Sequence, residues 1–173
     1  MTLLRRLRHP DRATRAEGTA ALLACGLAWA ALCVGLDFAG HAPTRAPLPR
    51  WYLLQAALVV PWLLLMGVVY AGLAGLIARR FGAVGDLAGP LRATLGLPLL
   101  VGFVVPDALV WAFFGFEGLW PAMVYYGLTT VVWSITAGVV AVRRAGGLSL
   151  WRAVAVVVPA WLAQALVGAL VLK

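Results

Sequence analysis

The sequence predicts an all-α polytopic membrane protein, a bundle of five transmembrane helices with the N-terminus cytoplasmic and the C-terminus outside. Three observations predict it. Of 173 residues, 64% are apolar and only 12% are charged, against roughly 45–50% and about 25% in soluble domains. The uncharged residues gather in five runs, each long enough to cross a bilayer. The basic residues fall between those runs and alternate from side to side. A chain with so few charges cannot clothe itself in a solvated surface, so its apolar excess faces lipid. Eight Trp and the high apolar content exclude intrinsic disorder, and two Cys exclude a disulfide scaffold.

Residues 1–18 read as a cytoplasmic amphipathic, basic segment, with Arg5, Arg6, Arg8, Arg12 and Arg15. Within residues 1–8, Leu3, Leu4 and Leu7 share one face and the arginines the other. This piece reads as a topology anchor on the inner leaflet. The first span covers about 19–36. Its basic lead and the Ala39-Gly40-His41-Ala42 phrase mimic a signal peptide, but the lead is long and the apolar run exceeds a signal core. An uncleaved span is expected.

His41, Pro43, Pro47 and Pro49 make the first connection an extended loop. The second span, about 51–78, exceeds a straight crossing, so it tilts, kinks near Pro61 or projects past the headgroups. Gly82, Gly85, Gly89 and Pro90 mark the next connection. The third span, about 93–116, is interrupted only by Asp107. Phe116-Glu117-Gly118 predicts a tight hairpin, with Pro121 in the first turn of the next helix. The fourth span covers about 118–142. Gly146-Gly147 is a stop signal, and Ser149 is suited to cap the fifth span, about 153–172. No run shows the ten-residue apolar/polar alternation of a barrel strand. Short connections make consecutive helices antiparallel neighbours.

Orientation follows from the arginines. The N-terminal segment, the second connection (Arg79, Arg80, Arg92) and the fourth (Arg143, Arg144, Arg152) fall on one side. They carry eleven of the fourteen basic residues. Arg45, Arg50 and Lys173 fall on the other. The positive-inside rule places the richer side in the cytoplasm. Trp51-Tyr52, Trp120 and Trp151 sit at span edges, where interfacial aromatics belong. The net charge of +8 thus reads as topology and an anionic-lipid surface, not as a nucleic-acid face. The expected lipid or partner surface is Arg79, Arg80, Arg143, Arg144 and Arg152.

The chemical inventory is poor. No zinc-protease, nucleophile-elbow, phosphate-loop or paired-cysteine motif is present. His9 and His41 fall on opposite sides of the membrane and cannot share a metal. Cys25 and Cys33 lie inside the first span and read as small packing residues. No catalytic, cofactor-binding or metal-binding residue is expected, and no cofactor. Asp107 is the single charge deep in a span, which makes it a functional candidate. Thr130 and Gln164 also lie near the middle of their runs. The three are expected to form one interhelical polar layer. That layer is either a proton or solute site, or hydrogen-bond glue in which Asp107 caps the helix after Pro106; a third reading makes the third run re-entrant or shallow, with Asp107 near the outer surface. Ala20-Ala24-Ala28, Ala71-Gly75 and Ser134-Gly138 place small residues four apart, where helices can approach closely.

Three phrases carry a family likeness. They are Ala78-Arg79-Arg80-Phe81-Gly82-Ala83-Val84-Gly85 closing the second span, Leu95-Gly96-Leu97-Pro98 opening the third, and Gly147-Leu148-Ser149-Leu150-Trp151-Arg152-Ala153 leading into the fifth. In this order, along nearly the whole chain, they resemble the Yip (Ypt/Rab-interacting protein) domain membrane family. The resemblance implies five spans and a cytoplasmic N-terminus. The long N-terminal region of eukaryotic relatives is missing. Asp86-Leu87-Ala88-Gly89-Pro90 follows the second span, whereas the similar phrase of those relatives precedes the first. A Rab-binding role is therefore not carried over. The Ala-, Leu- and Arg-rich, Lys-poor composition suggests a GC-rich bacterial genome. The expected function is a non-enzymatic structural or interaction role in the bacterial cytoplasmic membrane. Its expected partners are anionic lipid and a membrane protein or a second copy. The alternative is a small transporter, or a substrate-binding transporter subunit, using the Asp107–Thr130–Gln164 layer.

Overall fold

The computed structural model describes residues 9–41 and 50–171. The amphipathic piece at 1–8, Arg45 and Lys173 lie outside the described residues. Five long helices make up the fold, and no strand occurs among the described residues. They are α1 (Arg15–Phe38), α2 (Trp51–Arg80), α3 (Ala88–Gly115), α4 (Glu117–Gly146) and α5 (Leu150–Val171). All five are long and apolar enough to cross a membrane. A single 3-10 turn, Pro10–Arg12, precedes α1.

Local chemistry sets the ends. A capping box starts α1: the Thr14 hydroxyl accepts from the Glu17 N–H at 3.2 Å, and Glu17 Oε2 accepts from the Thr14 N–H at 3.0 Å. Arg79 and Arg80 end α2, and Arg143 and Arg144 end α4. Cations there offset the negative end of the helix dipole. Helices α3 and α4 are separated only at Gly115, whose φ of 72° and ψ of −170° lie in a region essentially reserved for glycine. The reversal thus falls one residue before the expected Phe116-Glu117-Gly118 turn. Pro121 is the fifth residue of α4, not part of its first turn. Gly147, at φ 68°, stops α4 as expected, and Ser149 precedes α5 with its carbonyl accepting from the Ala153 N–H at 2.9 Å.

Helix α3 does not break at Pro106. Residues Leu100–Val104 widen into a π-turn, in which the Val105 N–H reaches the Leu100 carbonyl. The wider turn carries the chain past the proline ring, which an α-turn would drive against the carbonyl of Gly102.

Helix α1 packs against both α2 and α3, and α5 against α2 and α4. The main core joins α2 (Tyr70, Ala74, Ala78), α3 (Leu91, Leu95), α4 (Val139, Val142) and α5 (Val156, Val157). These residues lie toward the end of the bundle where the arginines gather. A smaller cluster of Cys25, Val59, Leu63 and Val104 fills the other half. The small residues that let helices touch are not the expected Ala20-Ala24-Ala28, of which Ala20 and Ala24 are exposed. Helices α1 and α3 instead meet at glycines: a Cβ on Gly18 would run into the Gly89 carbonyl, and one on Gly96 would stand 2.8 Å from the backbone of Ala21 and Leu22. Gly138 does pack, against Val157 and Tyr70, whereas the space beside Gly75 is open. Leu27, Phe113, Phe114, Leu128 and Leu166 point outward and are each more than 60% exposed. A water-facing surface would not hold so many large apolar groups.

Candidate functional site

Two features can carry a role: the arginine-rich end and the buried polar atoms. At the arginine-rich end, three stretches far apart in sequence are tied together. Arg15 Nε donates to Asp86 Oδ2 at 2.6 Å, joining α1 to the α2–α3 connection. Arg144 approaches Asp11 Oδ1 at 3.5 Å, joining the segment before α1 to the end of α4. The Val84 N–H donates to the Gly146 carbonyl at 3.3 Å, joining the α2–α3 and α4–α5 connections. Arg92 Nη1 donates to the Thr19 hydroxyl at 3.0 Å. These bonds place the segment before α1, the second connection and the fourth at one end of the bundle, as the alternation of basic residues requires.

Asp86 holds this end in place. Its second oxygen accepts from the Ala88 N–H at 3.0 Å, at the start of α3. The hydrogen bond from Arg15, and then that from Ala88, hold its carboxyl below the usual carboxylate range. Arg79, Arg80, Arg143, Arg144 and Arg152, the expected lipid or partner surface, are all exposed here. Among the described residues, Arg144 is the one of these five held by an acidic side chain, so Arg79, Arg80, Arg143 and Arg152 are the more available four. Trp151 lies beside Arg152 and is 80% exposed.

Asp107, Thr130 and Gln164 are treated differently by the fold. Asp107 and Thr130 are buried, at 2% and 3% exposure, and Gln164 is half-buried. Asp107 Oδ1, Thr130 Oγ1 and Gln164 Oε1 are enclosed without a hydrogen-bond partner, so no hydrogen bond links them into a layer through these atoms. Asp107 shares a helix face with Val104 and Trp111. Val104 packs on Cys25 of α1 and on Val59 and Leu63 of α2, and Trp111 lies against Gly35 of α1. Thr130 instead sits over Gly102, on another face of α3, where a Cβ would stand 2.7 Å from its hydroxyl.

Within the spans, Tyr70 Oη and Trp161 Nε1 are further enclosed polar atoms without a hydrogen-bond partner among the described residues. The Thr94 hydroxyl lies beside Tyr70 and itself donates to the Leu91 carbonyl at 2.9 Å. The available signal was a polar-tipped aromatic deep within an apolar run. Cys25 and Cys33 are buried free thiols. No cluster of three or more His, Cys, Asp or Glu among the described residues could hold a metal ion.

No family model, curated protein or solved structure matches this chain.

Proposed function

We propose that this protein is a non-enzymatic integral membrane protein of the Yip-domain type, with a structural or interaction role in the bacterial cytoplasmic membrane. Its working surface is the arginine-rich end, which faces the cytoplasm and the anionic inner leaflet. The observation that carries this reading is the tethering of three arginine-bearing segments at one end, through Arg15–Asp86, Asp11–Arg144 and Val84–Gly146. The contacts fix the connections, and Arg79, Arg80, Arg143 and Arg152 remain exposed. Each arginine near a negatively charged leaflet contributes about 1 kcal/mol.

The test is reconstitution into phosphatidylcholine vesicles with and without phosphatidylglycerol. Anionic lipid should raise the unfolding temperature and be enriched in the lipid that co-purifies. Replacing Arg79, Arg80, Arg143 and Arg152 by Gln should remove the preference without unfolding the bundle. An undiminished preference in that variant overturns the reading. Proteins co-isolated with the chain in native lipid identify the interaction partner.

The second reading is a small transporter or a substrate-binding transporter subunit. It is favoured by the enclosed, unpartnered oxygens of Asp107, Thr130 and Gln164, since buried polar groups without partners are costly and rare. Solute or proton flux in vesicles that is lost in Asp107→Asn supports it. Flux unchanged by that substitution removes Asp107 as a relay.

A further inference from the structure

A groove of about 350 Å³ runs along α2 at the arginine-rich end. Its floor descends from Arg79 past Gly75 and Gly72 to Val68, and Arg15 and Arg92 stand at its head. The two glycines hold it open: a Cβ at either position would meet nothing within 4 Å. Val68 at the foot of the groove is 52% exposed. Among the described residues, no neighbouring helix fills the trough.

Its dimensions and charge suit one kind of occupant. Arg79 and Val68 are eleven residues apart on a continuous helix, about 16 Å along the axis. That is close to half of the roughly 30 Å hydrocarbon core, the depth of one leaflet. The head of the groove is cationic. Asp86 is engaged by Arg15 and also lies in the field of Arg92, so one carboxylate faces three arginines and the head keeps a net positive charge. Arg92 is fixed by its bond to Thr19 and lines the groove beside Arg79. A phosphate oxygen is a suitable acceptor for such a guanidinium. The floor below is glycine and aliphatic carbon, suited to an acyl chain.

We propose that this groove binds one anionic phospholipid, its phosphate between Arg79 and Arg92 and an acyl chain along Gly75 and Gly72. The inference rests on the reading of the arginine-rich end as the side facing anionic lipid.

The experiment titrates full-length protein in neutral detergent micelles with phosphatidylglycerol, phosphatidylcholine or inorganic phosphate, following the thermal shift and lipid retention by native mass spectrometry. One phosphatidylglycerol should bind saturably, and phosphatidylcholine and phosphate much more weakly. Arg79→Gln should weaken that binding about five-fold. Gly72→Leu combined with Gly75→Leu should abolish the saturable site while the bundle stays folded, because the new side chains enter open space. The general anionic-lipid preference through Arg143 and Arg152 should persist in the glycine variant. Undiminished binding in that variant overturns the groove alone. Phosphate binding as tightly as lipid overturns it too, as does a dimer in the wild type that the glycine substitutions dissociate. Failure of the wild type to distinguish anionic from neutral vesicles overturns the reading beneath it.

Discussion

Arg15 and Asp86 lie 71 positions apart in sequence and meet through a 2.6 Å contact between Nε and Oδ2. The pair locks the start of α1 to the turn that launches α3. Both side chains are largely solvent-exposed, so the bond acts as a positioning contact more than as a source of stability. Asp86 is held below its ordinary range by Arg15 and Ala88. A carboxylate depressed in the folded state contributes stability above its unfolded value, about 3.9, and loses it as pH falls through the folded value. Asp86→Asn should therefore lower the unfolding temperature slightly at pH 7, and the difference from wild type should shrink away as pH falls through the lowered folded-state value. A difference that persists at low pH would locate the effect elsewhere. In a double-mutant cycle with Arg15→Gln, the two losses should be non-additive at neutral pH.

The α1–α3 contact gives a larger effect. At Gly96 a Cβ would lie 2.8 Å from backbone atoms of Ala21 and Leu22, and backbone cannot rotate away as a side chain can. Gly96→Val should cost at least about 1–3 kcal/mol, the usual range for overpacking. Gly75→Ala meets open space and should be neutral or stabilising by up to about 1 kcal/mol through helix propensity. Unfolding in mixed micelles measures both. Equal effects from the two substitutions would show that α1 and α3 are not in close contact.

Asp107 offers a sharper distinction. Its Oδ1 is enclosed without a partner, and an unsatisfied buried polar atom costs roughly 1–3 kcal/mol. Asp107→Leu should therefore stabilise the bundle by a similar amount, about 1–3 kcal/mol. Destabilisation would mean that the carboxyl does act as interhelical glue. The same variant in flux assays separates a structural liability from a transport site.

Much of this architecture is written locally. Five uncharged runs dictate five helices, because a backbone in hydrocarbon must satisfy its own hydrogen bonds. Gly147 is visible as a break in the pattern, and so is a reversal near Glu117, although its pivot at Gly115 lies one residue before the expected turn. The arginines at 79, 80, 143 and 144 mark helix ends and a shared side together. Other features depend on partners that the local sequence does not specify. Ala20-Ala24-Ala28 has the spacing of a contact stripe, yet α1 turns Ala21, Leu22 and Cys25 inward because Gly96 and Val59 stand opposite. The π-turn at Leu100–Val104 arises from relieving Pro106 within a continuous helix, where a break and an Asp107 cap were equally compatible with the sequence. Thr14-Arg15-Ala16-Glu17 has the capping-box pattern, although the apolar run begins only at Thr19. Asp107, Thr130 and Gln164 have matching depths in their runs. Depth alone leaves open which helix face each occupies, and Asp107 and Thr130 address different faces of α3.

The proposed topology puts the arginine-rich end in the cytoplasm and Ala39, at the far end of α1, outside. Single-cysteine labelling in intact cells tests it most directly. In a chain whose buried Cys25 and Cys33 are replaced by Ala, one cysteine is placed by Ser149→Cys at the arginine-rich end and another, in a separate variant, by Ala39→Cys at the opposite end. Both positions are exposed. A membrane-impermeant maleimide should label position 39 in intact cells and position 149 only after permeabilisation. Labelling of position 149 in intact cells, with position 39 protected, would reverse the proposed orientation.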